Sequence, residues 1–523
     1  LTEISAESPE SQPDWLRFPW DRVGLVLGPA AMVAWLVFGS ADISPEAHRL
    51  SGVLLLVIVW WLTEPIPIPA TGLLGVALAV VIGAIPTPDT AGGRMEPVRI
   101  ALAPFGNPTL FFLLGGMFIG RAMSRHGLDR RIALGLLGTR GAVTSPTALM
   151  CAVALSVCIM SMWISNTAAT AMIYPVTLGI IAVLAASLNV AGQDFSRGSF
   201  ATSLLLLTAY ASSVGGVATP IGTTTNVVAM GYFRQEQFFG RSIDFGRWSI
   251  VGLPMSLALV IVLVVWMRVL APPGRLDLAA VRRYLHEQRS KLGPWSPGER
   301  NTLLVFVTVV MLWIAPSLLS LVGATSTTEW LHRHLPEEIV ALLAPVMLFL
   351  LPVDWRRRKF SLEASDFSAI DWGTLMLFGS GLALGDLMVR TGLVGAIADG
   401  VFNWLETDDV WTITAAAIVG GIVLSEFTSN AAAATTLIPV VFAIARQAGV
   451  DPMPPLMGVT FAASFGSALP VSTPPNAIVY GSGMIPARRM IAAGVGFDLL
   501  CGLVVWLVLR VAFSLGWSPF IAS

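Results

Sequence analysis

Ser161–Met172 reads SMWISNTAATAM, and Leu424–Thr436 reads LSEFTSNAAAATT. Each sets a Ser-Asn pair, Ser165-Asn166 and Ser429-Asn430, into an otherwise apolar stretch. A second polar break follows each one. TPIGTTTN (Thr219–Asn226) ends 60 residues after Asn166, and LPVSTPPN (Leu469–Asn476) ends 46 residues after Asn430. Polar groups at membrane depth are costly unless they are buried in protein or line a cavity. A chain that makes the same two interruptions in each half builds one site from two repeats, the organisation of a secondary transporter.

Composition supports a membrane setting. Of the 523 residues 55% are hydrophobic and 12% charged, against about 25% charged in soluble domains. Mean hydropathy is +0.76. The runs Met255–Met267, Asn301–Ile314 and Ala492–Leu509 (interrupted by Asp498) reach, with their flanks, across a hydrocarbon core of about 30 Å. The net charge of −1 names no partner, and no nucleic-acid partner is expected. Cys151, Cys158 and Cys501 lie in apolar segments, with no disulfide framework. His48, His126, His286, His332 and His334 fall in expected loops, so no imidazole stands at membrane depth. Ser482, between two glycines, therefore has no base to activate it, and no enzyme is expected.

The expected fold class is an all-α polytopic membrane protein. About eleven transmembrane helices and two re-entrant hairpins form two inverted-topology repeats. The spans centre near 23–39, 50–62, 68–86, 108–124, 199–231 (broken), 248–270, 300–322, 338–352, 371–390, 455–485 (broken) and 489–513, with hairpins at about 145–187 and 411–447. Residues 1–22, carrying Trp15 and Trp20, read as a cytoplasmic tail, and 23–49 as a first span and loop. Repeat 1 would cover 50–271, a cytoplasmic amphipathic linker 272–299, and repeat 2 residues 300–523.

Loop charge orients the chain. Arg125, Arg130, Arg131, Arg140, Arg282, Arg283, Arg289, Lys291, Arg356–Lys359, Arg488 and Arg489 fall on the side read as cytoplasmic, and Glu406, Asp408 and Asp409 opposite. The loop 232–247, with Arg234, Arg241 and Arg247, dissents. Arg275–Leu292 has one basic and one apolar face, as a helix lying on the cytoplasmic surface does. GGMFIGRAMSRHGL (Gly115–Leu128) echoes GSGLALGDLMVRTGL (Gly379–Leu393). Five spans per repeat is odd, so the second copy inserts upside down and the hairpin tips meet near the midplane.

Ser, Asn and Thr side chains both donate and accept. Their oxygens, with freed carbonyls, suit a hard cation such as Na⁺. Their N–H and O–H groups, with helix N-termini, suit a carboxylate. Glu426 and Asp498 lie near membrane depth, where an acid can carry a coupling proton. Asp386 and Arg390, four apart, read as a structural pair.

At SMWISNTAATAM, EFTSNAAAATTLIP, LPVSTPPNAIVYGSG and WWLTEPIPIPATGLL (Trp60–Leu74) the chain resembles the divalent anion/sodium symporter family over nearly its whole length. The resemblance implies a homodimeric elevator-type carrier in the lipid bilayer of a bacterial inner membrane, with its N-terminus cytoplasmic. It would move succinate, malate, fumarate, citrate or sulfate with sodium ions as the coupling ion and no organic cofactor. By motif position one cation site would use Ser161, Ser165, Asn166 and Gly222, and its mate Ser425, Thr428, Asn430 and Ser472. The anion would contact Ser165, Asn166, Thr167, Thr223, Ser429, Asn430 and Thr473. Ala431 replaces a hydroxyl of the pattern, and Thr224-Thr225-Asn226 stands where many relatives have Pro-Pro-Asn. A sodium-coupled C4-dicarboxylate symporter is the first expectation. A sodium-independent dicarboxylate exchanger, a citrate or sulfate carrier and a small-anion channel are the alternatives.

Overall fold

Proline and short polar residues set where the helices begin. Ser44, Ser145 and Ser296 each precede a proline, and their hydroxyls accept the N–H of Ala47, Ala148 and Glu299 at 3.1, 3.1 and 3.2 Å. The serine satisfies an otherwise orphaned donor, and proline at the next position has its φ already set for a helix. At Ser296 the cap is reciprocal, since Glu299 takes the Ser296 N–H at 2.7 Å. Asp244 and Asp409 cap Phe245–Leu270 and Val410–Phe427 in the same way.

The computed structural model describes residues 20–39, 43–86, 95–139, 141–188, 199–241, 243–272, 276, 278–405 and 407–517. Residues 1–19 of the expected tail, and Arg140, Arg275 and Glu406, lie outside them. Among the described residues the regular structure is helical apart from one antiparallel pair, Pro352–Asp354 with Lys359–Phe360. Nine helices there are long and apolar enough to cross a membrane. This is an all-α integral membrane protein.

The nine are not a count of the expected spans, since Asn166–Ala186 and Val410–Phe427 belong to the expected hairpins and several expected spans are short or divided. Ile68–Val81 has 14 residues, about 21 Å at 1.5 Å per residue. The stretch read as one broken span near 199–231 is two helices, Ser199–Gly216 and Thr224–Phe233. The stretch near 455–485 is likewise Met453–Ala462 and Pro474–Tyr480. The linker helix runs Leu278–Ser290. The histidines are corrected: rather than in loops, all five lie in helices, mostly near an end or in short polar ones. His48 stacks on Trp35 in the first turn of Pro45–Thr63, and His126 closes its helix with Nε2 2.7 Å from the Ser361 carbonyl.

The described residues divide into two units, interleaved along the chain. The first is drawn from Leu1–Leu110, Val228–Ser242 and Asp371–Ala463. Its helices close on one another through glycines. The Trp60 indole donates to the Gly24 carbonyl at 2.9 Å, and a Cβ on Gly28 would lie 2.4 Å from that indole. Leu50, Val53, Val57, Leu384 and Leu387 fill the core behind them. Tyr232, fully buried, donates within reach of the Gly381 and Thr435 carbonyls (2.9 and 3.0 Å). Asp386 pairs with Arg390 at 2.7 Å and also accepts from Gln237, which makes it a structural anchor.

The second unit is drawn from Phe111–Val227, Ile243–Ile370 and Ser464–Ser523. Backbone approaches backbone here too: a Cβ on Gly115 would lie 2.2 Å from the Ala341 carbonyl oxygen, and one on Gly215 2.2 Å from that of Cys158. Small residues that permit such contact replace the hydrophobic drive that lipid does not supply. At the polar edge Asp366, fully buried, binds Arg121 at 2.8 Å and also Arg125.

Candidate functional site

Within the second unit, Pro146–Ser161 stops at the polar phrase and Asn166–Leu188 begins on it. Ser165 opens the second helix by accepting the Ala168 N–H at 3.2 Å. The Ser161 hydroxyl, fully buried, donates to Asn166 Oδ1 at 2.6 Å and so fixes the direction of that amide. Thr219 Oγ1 then ties the following break to the turn by donating to the Met162 carbonyl at 2.5 Å.

The break itself is held from inside. Buried Asn226 donates Nδ2 to the carbonyls of Gly216 (3.0 Å) and Thr219 (2.8 Å), peptide groups that no helix satisfies. A point one Cβ from Gly216 lies 2.8 Å from Asn166 Oδ1, 3.1 Å from the Gly222 carbonyl oxygen and 3.1 Å from Thr223 Cβ. The Gly216 carbonyl oxygen itself lies 2.5 Å from where a Gly222 Cβ would stand. Neutral oxygens from Asn166, Gly216 and Gly222, with the Ser161 hydroxyl beside them, therefore crowd a space that only glycines leave open. Uncharged oxygens in a small cage suit a hard monovalent cation. Among the described residues no group of three His, Cys, Asp or Glu is placed to hold a metal ion. Ser165 and Thr167 are exposed beside this space, at the first turn of a helix whose N-terminus favours an anion.

The second tip, in the first unit, repeats the local geometry. Ser425 Oγ lies 2.9 Å from Asn430 Oδ1 and 2.9 Å from the Ala463 carbonyl. Thr428, in extended conformation, ends Val410–Phe427, and Ser429 caps Asn430–Gln447 through the Ala432 N–H at 3.2 Å. Ala431 is buried.

The second break lies in the second unit from Ser464 onward. Asn476 donates to the Gly466 and Leu469 carbonyls at 2.9 and 3.0 Å, Ser472 Oγ to Leu469 at 3.2 Å, and Thr473 Oγ1 accepts the Asn476 N–H at 3.4 Å. Asn476 thus repeats Asn226 bond for bond, 250 residues on. Ser161, Asn166, Gly222 and Thr223 come together in one unit. Ser425, Thr428, Ser429 and Asn430 come together in the other, while Ser472 and Thr473 belong with the second break. Gly216, Asn226 and Asn476 were absent from the sequence-derived ligand sets. The signal for the two asparagines was present, since both breaks end in asparagine, whereas nothing in the sequence singled out Gly216.

Paired discontinuous helices tipped with neutral oxygens, in an all-α membrane protein, are the architecture of a transporter. Similar folds occur in two solved transporters, YdaH of Alcanivorax borkumensis and MtrF of Neisseria gonorrhoeae. The first has a TM-score of 0.55 at 15% identity, covering 89% of this chain and 99% of that one. The second has a TM-score of 0.52 at 12% identity, covering 92% and 97%. Residues 20–521 match the family described as the sodium:sulfate symporter transmembrane region, and the chain belongs to that family. Curated relatives include the sodium-dependent dicarboxylate transporter SdcS of Staphylococcus saprophyticus, 31% identical over 495 residues (93% of this chain, 90% of the relative). SdcS of Staphylococcus aureus is 30% identical over 492 residues, with the same coverage.

Proposed function

We propose that this protein is a secondary active transporter that carries C4-dicarboxylates across the membrane with Na⁺. The observation that carries the reading is the oxygen cage beside Gly216, built from the neutral groups of Ser161, Asn166 and Gly222. The two SdcS relatives are by name sodium-dependent dicarboxylate transporters, which supports both cation and substrate class.

In this reading Ser161, Ser165, Asn166 and the backbone at Gly222 hold one Na⁺. Ser425, Thr428 and Asn430, with the same serine-to-asparagine contact, serve a second, and Ser472 is a proposed cation contact on the second break. The proposed carboxylate contacts are Ser165, Asn166, Thr167, Thr223 and Thr473 in the second unit, and Ser429 and Asn430 in the first. Bound Na⁺ withdraws lone pairs of the asparagine oxygens and leaves the amide N–H groups to the anion, so the first ligand favours the second. A homodimer working by elevator motion is part of the proposal and follows from the resemblance alone.

The test is radiolabelled succinate uptake into proteoliposomes, with and without an inward Na⁺ gradient, into empty and succinate-loaded lumens. Na⁺-dependent uptake into empty vesicles supports symport. Uptake only into loaded vesicles, indifferent to Na⁺, would replace it with exchange. Asn166→Ala and Asn430→Ala should each nearly abolish uptake in folded protein, and full uptake in both would refute the site.

A further inference from the structure

The two breaks are built alike but not held alike. The offset of 250 residues that carries Asn226 to Asn476 also carries Gly216 to Gly466, Val217 to Ser467, Gly252 to Gly502 and Trp248 to Asp498. In the first break the Trp248 indole, buried, donates to the Val217 carbonyl at 3.2 Å. In the second, Asp498 Oδ2 accepts the Ser467 N–H at 3.0 Å and the Tyr210 hydroxyl donates to the Ser467 carbonyl at 2.7 Å. A glycine brings the last helix, Ala487–Ser514, close enough for this, since a Cβ on Gly494 would lie 2.3 Å from the Ser467 carbonyl oxygen. Asp498, one turn on and 3% exposed, therefore falls on the break rather than on lipid. One break is braced by a neutral indole and the other by a carboxylate.

We propose that Asp498 is a positioning residue that sets cation affinity at the second break. Its carboxylate fixes the Ser467 peptide and supplies negative charge at the backbone of the second break. In a low-dielectric interior a full charge acts over several ångströms with little screening. The two cation sites are then unequal: the second binds more tightly and fills first. The inference rests on the Na⁺-coupled reading above.

Asp498→Asn keeps an oxygen to accept the Ser467 N–H and removes the charge. Tyr210→Phe removes the other hold on Ser467 and leaves the charge in place. Asp498→Glu keeps the charge. The readouts are the Na⁺ concentration for half-maximal succinate uptake, the succinate KM at saturating Na⁺, and Na⁺-specific thermal stabilisation of the purified protein. Asp498→Asn should raise the half-maximal Na⁺ concentration about 3- to 10-fold and leave the succinate KM within about twofold at saturating Na⁺. Tyr210→Phe and Asp498→Glu should stay within about twofold of the parent for Na⁺. Parental Na⁺ dependence in Asp498→Asn overturns the inference alone. If Asp498→Asn does not fold, a 3-fold or larger Na⁺ shift in either of the other two variants overturns it as well. A parent protein indifferent to Na⁺ in both assays overturns the symport reading and this inference with it.

Discussion

A single methyl group at Gly216 should separate cation binding from folding. The alanine Cβ would stand 2.8 Å from Asn166 Oδ1 and 3.1 Å from both the Gly222 carbonyl oxygen and Thr223 Cβ. Hard cations of Na⁺ size hold oxygens at about 2.3–2.6 Å, so the methyl takes nearly the place that the cation needs. Pressing a methyl group against atoms at these distances costs about 1–3 kcal/mol. If that cost falls on the cation-bound state, the half-maximal Na⁺ concentration rises about 5- to 150-fold. Gly216 closes a helix rather than taking a left-handed turn, so alanine itself introduces no backbone strain. Gly420→Ala is the matched control, because a Cβ there meets nothing within 4 Å. The assay is Na⁺ activation of succinate uptake at fixed succinate in proteoliposomes. A folded Gly216→Ala protein with the parent's Na⁺ dependence would refute the cage.

Other expectations follow from the same geometry. Asn226→Ala and Asn476→Ala each remove the amide that bridges two buried carbonyls; Thr219 and Leu469 keep a second donor while Gly216 and Gly466 lose the side-chain one, at about 1–3 kcal/mol for each variant. Both should lower Tm and uptake, measured together on the same preparations, with loss in only one of them breaking the equivalence of the two breaks. Tyr232→Phe removes the donor to Gly381 and Thr435 and should cost about 1 kcal/mol of stability by thermal melting, with Na⁺ dependence unchanged. Asp366 gives an acid limit. Burial pushes its carboxyl up, but the Glu363 N–H and the guanidinium groups of Arg121 and Arg125 outweigh burial and hold it below the usual range. A lowered folded pKa means a contribution that is complete above the unfolded value and lost as pH falls through the folded one. Tm should therefore be level from pH 7 to about 5 and fall below about 4. Asp366→Asn should start lower at pH 7 and depend less on acid; a superimposable pH profile would remove Asp366 from the account.

The parts of the fold legible in the sequence are those where chemistry leaves no choice. Ser-Asn inside Ser161–Met172 cannot continue a lipid-facing run without polar partners, and Pro474-Pro475 cannot sit inside an uninterrupted helix. Helix starts at Ser44, Ser145 and Ser296 were likewise written in the Ser-Pro pairs. Span number was less legible, because hydropathy reads 68–86 as one apolar stretch whereas the helix ends at Val81. The histidines were misplaced because polar, charged stretches such as Thr325–His334 look like loops, yet fold as short helices. Gly216 was invisible as a site residue. Its role lies in the side chain that it lacks, and only the nearness of Asn166 and Gly222 in space reveals that. Asn226 and Asn476 could have been found from their shared place at the end of each break.

Coupling is the central claim, and simultaneous flux tests it most directly. Proteoliposomes with no succinate or Na⁺ inside should be given ²²Na⁺ and ¹⁴C-succinate together, and both isotopes counted in the same vesicles. The account predicts ²²Na⁺ influx that appears only when succinate is present, in fixed ratio to it, that is lost in Asn166→Ala and that needs a higher Na⁺ concentration in Gly216→Ala. Succinate entry at the parent rate with no accompanying ²²Na⁺ would contradict it.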